Sequence, residues 1–240
     1  MTDKEKSIIQ ENLSKLYLRL NGYFTSGFLI HSNEKKINAE LDLIGIRFPY
    51  HEQEDTEHNS SEFLEVPENV DVIIAEVKSK GQPLKFNKSL YNDEAISSWI
   101  KILSWIGISK DEELKMKLAE DLKNSVNPIE NSQLKHFRTI SLNESNFGVV
   151  SIRPIMFSPE RINSNNADKF INWKELNEFL WQCLCPPVQR EMCGTRYDFT
   201  AWGELADIVR AYKNRQHTQT KFKEIEELYS EIKKVNTGSS

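Results

Sequence analysis

Cysteine is scarce in this 240-residue chain: Cys183, Cys185 and Cys193 are the whole set, an odd number placed late in the sequence. Such a set does not make a disulfide framework, and a reduced protein is expected. The C-x-C-x7-C spacing, with Pro186 and Pro187 inside it and His217 well downstream, also misses the paired C-x2-4-C ligands of a structural zinc. Ordinary buried thiols are the expectation.

Long apolar runs are absent too. None approaches the roughly 20 residues of a membrane span, and "MTDKEKSIIQ" has no apolar stretch of the signal-peptide kind. A cytoplasmic protein with no membrane partner is expected. Neither G-x-x-x-x-G-K-[ST] nor G-x-G-x-x-G occurs, so nucleotide hydrolysis by a P-loop is not supported. No internal repeat is visible.

Excess positive charge is also lacking. The net charge of −5 argues weakly against a dedicated nucleic-acid binder, which needs local Lys and Arg to neutralise phosphates. The acid is concentrated, however. Residues 51–68, "HEQEDTEHNSSEFLEVPE", hold seven acids and no Lys or Arg, and the remainder of the chain is about +2. Three readings of this stretch stand: a plain loop insertion, a mimic of nucleic acid that covers a site, or a contact for a partner.

What is present is ordinary globular composition, 38% hydrophobic and 28% charged, in a chain long enough for one good core with a smaller appendage. Apolar residues from Ile8 to Leu20 recur at three- and four-residue steps and predict a helix over 3–21, closed by Asn21-Gly22. "YFTSGFLIHS" (23–32) and "AELDLIGIRF" (39–48) predict a hairpin. "VDVIIAEVKSK" (70–80) opens on an apolar run and predicts a buried central strand. Helices are expected over 92–106 and after Asp111, and strands over 134–142 and 147–157. Pro154 suggests that the last strand lies at an edge or ends early. Beyond Pro159 the pattern is helical, over 172–183, 201–214 and 218–234. The whole predicts a mixed α/β core over 1–160, with a helical C-terminal extension over 161–240.

The chemistry-bearing residues sit at strand ends. Strict alternation puts Glu40 and Asp42 on one face of the second strand, and Glu76 and Lys78 on one face of the third. If those strands are neighbours, Asp42 stands beside Glu76. Adjacent carboxylates raise each other's pKa unless a positive charge lies between them. A divalent cation is the natural occupant, and Mg²⁺ needs only one or two protein carboxylates. Such an ion lowers the pKa of a bound water and stabilises charge on a phosphodiester, while Lys78 orients or helps to deprotonate the water.

"ELDLIG" followed by "IIAEVKSK" resembles the PD-(D/E)XK nuclease superfamily, the restriction-endonuclease-like fold. The resemblance is to branches that include Holliday-junction resolvase-like, Mrr-like and YraN-like proteins, and it covers residues 5 to about 157 in order of elements. Leu41 replaces the proline of the superfamily name, and the long acidic insertion departs from the tight hairpin of many members. The resemblance implies an Mg²⁺- or Mn²⁺-dependent endonuclease acting on DNA, in defence against foreign DNA or in repair. Asp42, Glu76 and the backbone carbonyl of Val77 would be metal ligands, Lys78 would serve the attacking water, Glu11 would be the acid from the first helix, and Glu40 an auxiliary acid. The alternative is a catalytically silent module of the same fold that binds nucleic acid or a protein.

Other candidates carry two readings each. Lys80, Lys85 and Lys88, and on later strands Lys135, Arg138 and Arg153, either contact phosphates or are solvated. Trp99 and Trp105 read as core or interface anchors rather than base-stacking platforms. His31, His51, His58 and His136 are scattered. The apolar stripe of Phe222, Ile225, Leu228, Tyr229, Ile232 and Val235 packs on the same molecule or makes a homodimer.

Overall fold

The computed structural model describes residues 1–31, 37–51, 64–65, 67–128, 139–145, 147–162, 170–186 and 199–237. The chain opens with helix α1 (Asp3–Leu20). Its first turn is closed by a capping box: the Thr2 hydroxyl accepts from the Glu5 N–H while the Glu5 carboxylate accepts from the Thr2 N–H. Past its end Gly22 takes φ +88°, and a Cβ there would clash with the His51 ring.

Three strands follow: β1 (Phe24–His31), β2 (Ile37–Arg47) and β3 (Val70–Val77). Each is antiparallel to the next, so β2 and β3 are direct neighbours despite the long insertion between them. Helices α2 (Ala95–Ile106) and α3 (Glu112–Val126) come next, and the Asp111 carboxylate caps α3 by accepting from the Glu113 and Leu114 N–H groups. Strands β4 (Ile140–Ser145), β5 (Gly148–Ser158) and β6 (Ile171–Asn172) complete a six-stranded mixed sheet of order β1-β2-β3-β5-β4, with β6 also on β5. Helices α4 (Trp173–Leu184), α5 (Ala206–Gln216) and α6 (Ile225–Thr237) end the chain.

Two cores sandwich the sheet. On one face Leu43, Ile73, Ala75 and Phe157 pack with α1 and with α4, α5 and α6. On the other, Ile44, Val72, Ile74 and Ile152 pack against α2 and α3. Phe222, Ile225, Leu228, Tyr229 and Ile232 are buried in the first core, on the same molecule. Among the described residues no helix is long and apolar enough to cross a membrane.

Pro154 does not mark an edge or an early end. β5 is central, parallel to β3 from Val70↔Val150 to Val77↔Phe157. The Phe157 carbonyl accepts from the Lys78 N–H, so odd-numbered residues of β5 aim their backbone groups at β3. Pro154 is therefore turned to the opposite side, where, among the described residues, β4 pairs no further than Ile152 and β6 pairs only from Phe157 on. Among the described residues the position of the missing N–H falls in that gap, so it costs no ladder bond between them.

Candidate active site

The last pair between β2 and β3 is Leu43↔Ala75. Asp42 is one residue beyond Leu43, and Glu76 one residue beyond Ala75. At this point β2 also carries a bulge against β1: Ser26 and Phe28 pair with Ile44 and Leu41, two steps on β1 against three on β2. Strict alternation therefore fails across Asp42 and Leu43. Leu41 joins Ile44 in the core beneath α2 and α3, with Leu43 on the opposite face. A bulge re-aims side chains locally, so alternation alone does not set the side to which Asp42 points; the charges of Asp42 and Glu40 both act on Glu11.

Asp42 is turned across the end of β3, where its Oδ2 accepts from the Val77 N–H at 2.7 Å. The Lys78 N–H and C=O both face β5, through Phe157 and Ser158. By alternation the Val77 carbonyl lies on the β2 side, with Asp42. Glu76 is only 2% exposed. Its Oε1 accepts from the Asn87 N–H at 3.3 Å, and its Oε2 is ion-paired with the Lys78 ammonium. Asn87 is itself fixed, because its Oδ1 accepts from the Ser89 N–H and caps the short turn Lys88–Leu90.

Burial pushes both carboxyls above the ordinary range. For Asp42 the Val77 N–H and the Lys78 charge oppose this, and the Glu40 charge adds to it. For Glu76 the Lys78 charge opposes it and the Asp42 charge adds to it. Glu11, half-buried on α1, is also raised, by burial and then by the charge of Asp42, with Glu40 adding a little; its Oε1 accepts from the Ser7 hydroxyl. Glu40 is exposed. The structure thus brings Glu11, Glu40, Asp42, Glu76 and Lys78 to one end of the sheet.

The donor set fits a small hard cation. The oxygen donors are two carboxylates from neighbouring strands and the Val77 carbonyl, and Lys78 is the cation paired with Glu76. Among the described residues no group of three or more His, Cys, Asp or Glu side chains is arranged as a metal cage.

Lys80, Lys85 and Lys88 are exposed beside this end of the sheet. Arg153 is not available to phosphate. It bridges Asp71, which is fully buried, with the Tyr23 hydroxyl and the Leu64 carbonyl. Burial works against its charge, and the Asp71 bonds more than offset it. Lys135, Arg138, His58, His136 and Cys193 lie outside the described residues, as do residues 52–63 and 66 of the acidic stretch. That stretch leaves at His51 and returns at Leu64, at the ends of β2 and β3 away from Asp42 and Glu76.

Trp99 is a core residue whose Nε1 donates to the Leu90 carbonyl, whereas Trp105 is half-exposed against Phe28. The Cys183 and Cys185 thiols are pushed up to about 12 by burial, which makes them poor nucleophiles at neutral pH. Asn87, Ser158 and Glu160 were not legible from sequence. Each acts through a backbone group or a residue far away in the chain, and no local motif announces such a contact. No family model, curated protein or solved structure matches the chain.

Proposed function

We propose that this chain is a divalent-metal-dependent nuclease with a restriction-endonuclease-like core, which hydrolyses phosphodiester bonds of DNA. One observation carries the reading: Asp42 on β2 accepts from the N–H of Val77, the residue after Glu76 on neighbouring β3, with Lys78 paired to Glu76. The order α1, antiparallel β1-β2-β3, helices, then a parallel β5 supports it further, because the motif resemblance runs along these same elements.

Bound Mg²⁺ or Mn²⁺ would supply a Lewis acid and an acidified water. Asp42, Glu76 and the Val77 carbonyl would hold it. The chain's own part is orientation and charge. The Val77 N–H fixes one oxygen of Asp42, and the Asn87 N–H fixes one oxygen of Glu76. Lys78 positions the attacking water and offsets negative charge as the water oxygen adds to phosphorus and the bond to the leaving oxygen breaks. Glu11 and Glu40 add negative potential on the α1 side, where a second carboxylate helps to accept the proton of the water. Lys80, Lys85 and Lys88 meet flanking phosphates. Defence against foreign DNA or DNA repair is the setting that this reading implies.

The test is incubation with duplex DNA, single-stranded DNA and RNA, with and without Mn²⁺, beside Glu76→Ala. Metal-dependent cleavage of DNA by the wild type alone is expected. Equal cleavage by both proteins contradicts the reading.

A silent binding module is the second reading. It is favoured by the Lys78–Glu76 ion pair, which already compensates the buried Glu76 carboxylate without a metal. Mn²⁺ that raises the Tm of the wild type but not of Asp42→Ala decides for the enzyme, and no shift in either decides for the module.

A further inference from the structure

The residues after Lys78 leave the sheet, where a chain is ordinarily loose. Here every backbone polar group from Lys78 to Lys80 has a partner. The Lys78 N–H donates to the Phe157 carbonyl at 2.8 Å, and the Lys78 carbonyl accepts from the Ser158 hydroxyl at 2.7 Å. The Ser79 N–H donates to Gln82 Oε1 at 3.0 Å, and the Ser79 carbonyl accepts from the Gln82 N–H at 3.0 Å. The Lys80 N–H donates to Glu160 Oε2 at 2.9 Å, and the Lys80 carbonyl accepts from the Arg161 guanidinium at 3.0 Å. The same guanidinium holds the Gln82 carbonyl at 2.6 Å.

Most of these partners belong to one short block, residues 157–161, at the end of β5. The block is tied in turn to the C-terminal helices. The Tyr229 hydroxyl on α6 donates to Glu160 Oε1 at 3.3 Å, and Tyr229 is only 4% exposed. Burial, and then the charge of Glu160, raises the tyrosine pKa, so the hydroxyl keeps its proton and remains a donor. From the other side, the Ser79 hydroxyl donates to Gln10 Oε1 at 3.3 Å; Gln10 is buried on α1, next to Glu11.

We infer that Ser158, Glu160 and Tyr229 are positioning residues for Lys78: they clamp the strap 78–82, and through it the C-terminal helices set where the ammonium stands beside Glu76. This inference rests on the nuclease reading. The physical reason for a clamp is the sharp dependence of catalysis on geometry. A displacement of about 1 Å at a catalytic group can cost around a hundredfold in rate. A lysine next to the last residue of a strand has no ladder bond of its own beyond that point to hold it. Side-chain bonds to the backbone of the strap replace the missing ladder. Glu160 is the member best suited to a test, because it is partly exposed and removing it leaves no cavity in the core.

The experiment compares wild type, Glu160→Ala, Glu160→Gln and Tyr229→Phe. It uses steady-state cleavage of a DNA duplex with Mn²⁺, the Mn²⁺-induced Tm shift, and amide exchange over residues 78–82. Glu160→Ala is expected to lose tenfold or more in kcat with KM within twofold, to keep the Mn²⁺ shift, and to exchange faster at Lys80. Glu160→Gln, whose amide oxygen still accepts from the Lys80 N–H, is expected to regain most of kcat. Tyr229→Phe is expected to fall between them. Cleavage by the wild type with unchanged kcat in Glu160→Ala overturns the clamp and leaves the nuclease reading intact. No cleavage by the wild type overturns the nuclease reading, and the catalytic role of the clamp with it.

Discussion

Asp42 on β2 accepts from the N–H of Val77, the residue after Glu76 on β3, and each carboxyl is raised by burial. Two desolvated acids on adjacent strands are a standing cost to the fold. Lys78 relieves it for Glu76, and the Val77 N–H relieves part of it for Asp42.

Removing the Asp42 charge should therefore stabilise the metal-free protein. In Asp42→Asn the amide oxygen still accepts from the Val77 N–H. A gain of about 1 kcal/mol at neutral pH is expected, or a Tm rise of about 2–4 °C. Because the native pKa of Asp42 is raised, its contribution is favourable below the unfolded value and is lost as pH rises through the native one. The difference between variant and wild type should therefore vanish near pH 4 and be fully developed at neutral pH. Thermal melts across that range check it; a gap that widens in acid has the wrong sign.

Lys78→Met leaves Glu76 buried without its cation. A loss of about 1–3 kcal/mol is expected at neutral pH, shrinking in acid as Glu76 takes up a proton. Millimolar Mg²⁺ should restore part of it. Urea unfolding with and without Mg²⁺ measures both effects, and a loss indifferent to Mg²⁺ would mean that the ion does not reach Glu76.

Arg153 predicts a contrast. Arg153→Met strands the fully buried Asp71 and should cost about 3–5 kcal/mol. At temperatures where the variant is folded, its Mn²⁺ affinity should match the wild type, because the Asp71–Arg153–Tyr23 network lies at the far end of β3 from Glu76. Weakened metal binding in the folded variant would put Arg153 in the site after all.

Metal affinity should also follow pH. Ligand carboxylates must lose their protons to bind, and those of Asp42 and Glu76 are held up by burial. Mn²⁺ affinity is expected to rise steeply from weakly acidic to neutral pH and then level off. A flat profile over that range would point to other ligands.

The strands and their order were legible in the sequence because "VDVIIAEV" is apolar enough to be central and "ELDLIGIRF" alternates. That Asp42 stands beside Glu76 was expected only if their strands were neighbours, and β2 and β3 are. The bulge at Asp42 was not legible, since it depends on how β1 sets its register against β2. Pro154 misled because its lost hydrogen bond depends on where β4 stops and β6 starts. Arg153 resembled its solvated neighbours in sequence because Asp71, its partner, lies 82 positions away. Long-range contacts of this kind leave no local periodicity, and the Glu160 bond to the Lys80 N–H is another.

The most direct measurement is calorimetric titration of the metal-free protein with Mn²⁺ at neutral pH, in wild type, Asp42→Ala and Glu76→Ala. Binding in the wild type, lost or weakened at least tenfold in both variants, is the predicted result. Mn²⁺ binding of equal strength in all three proteins would contradict it.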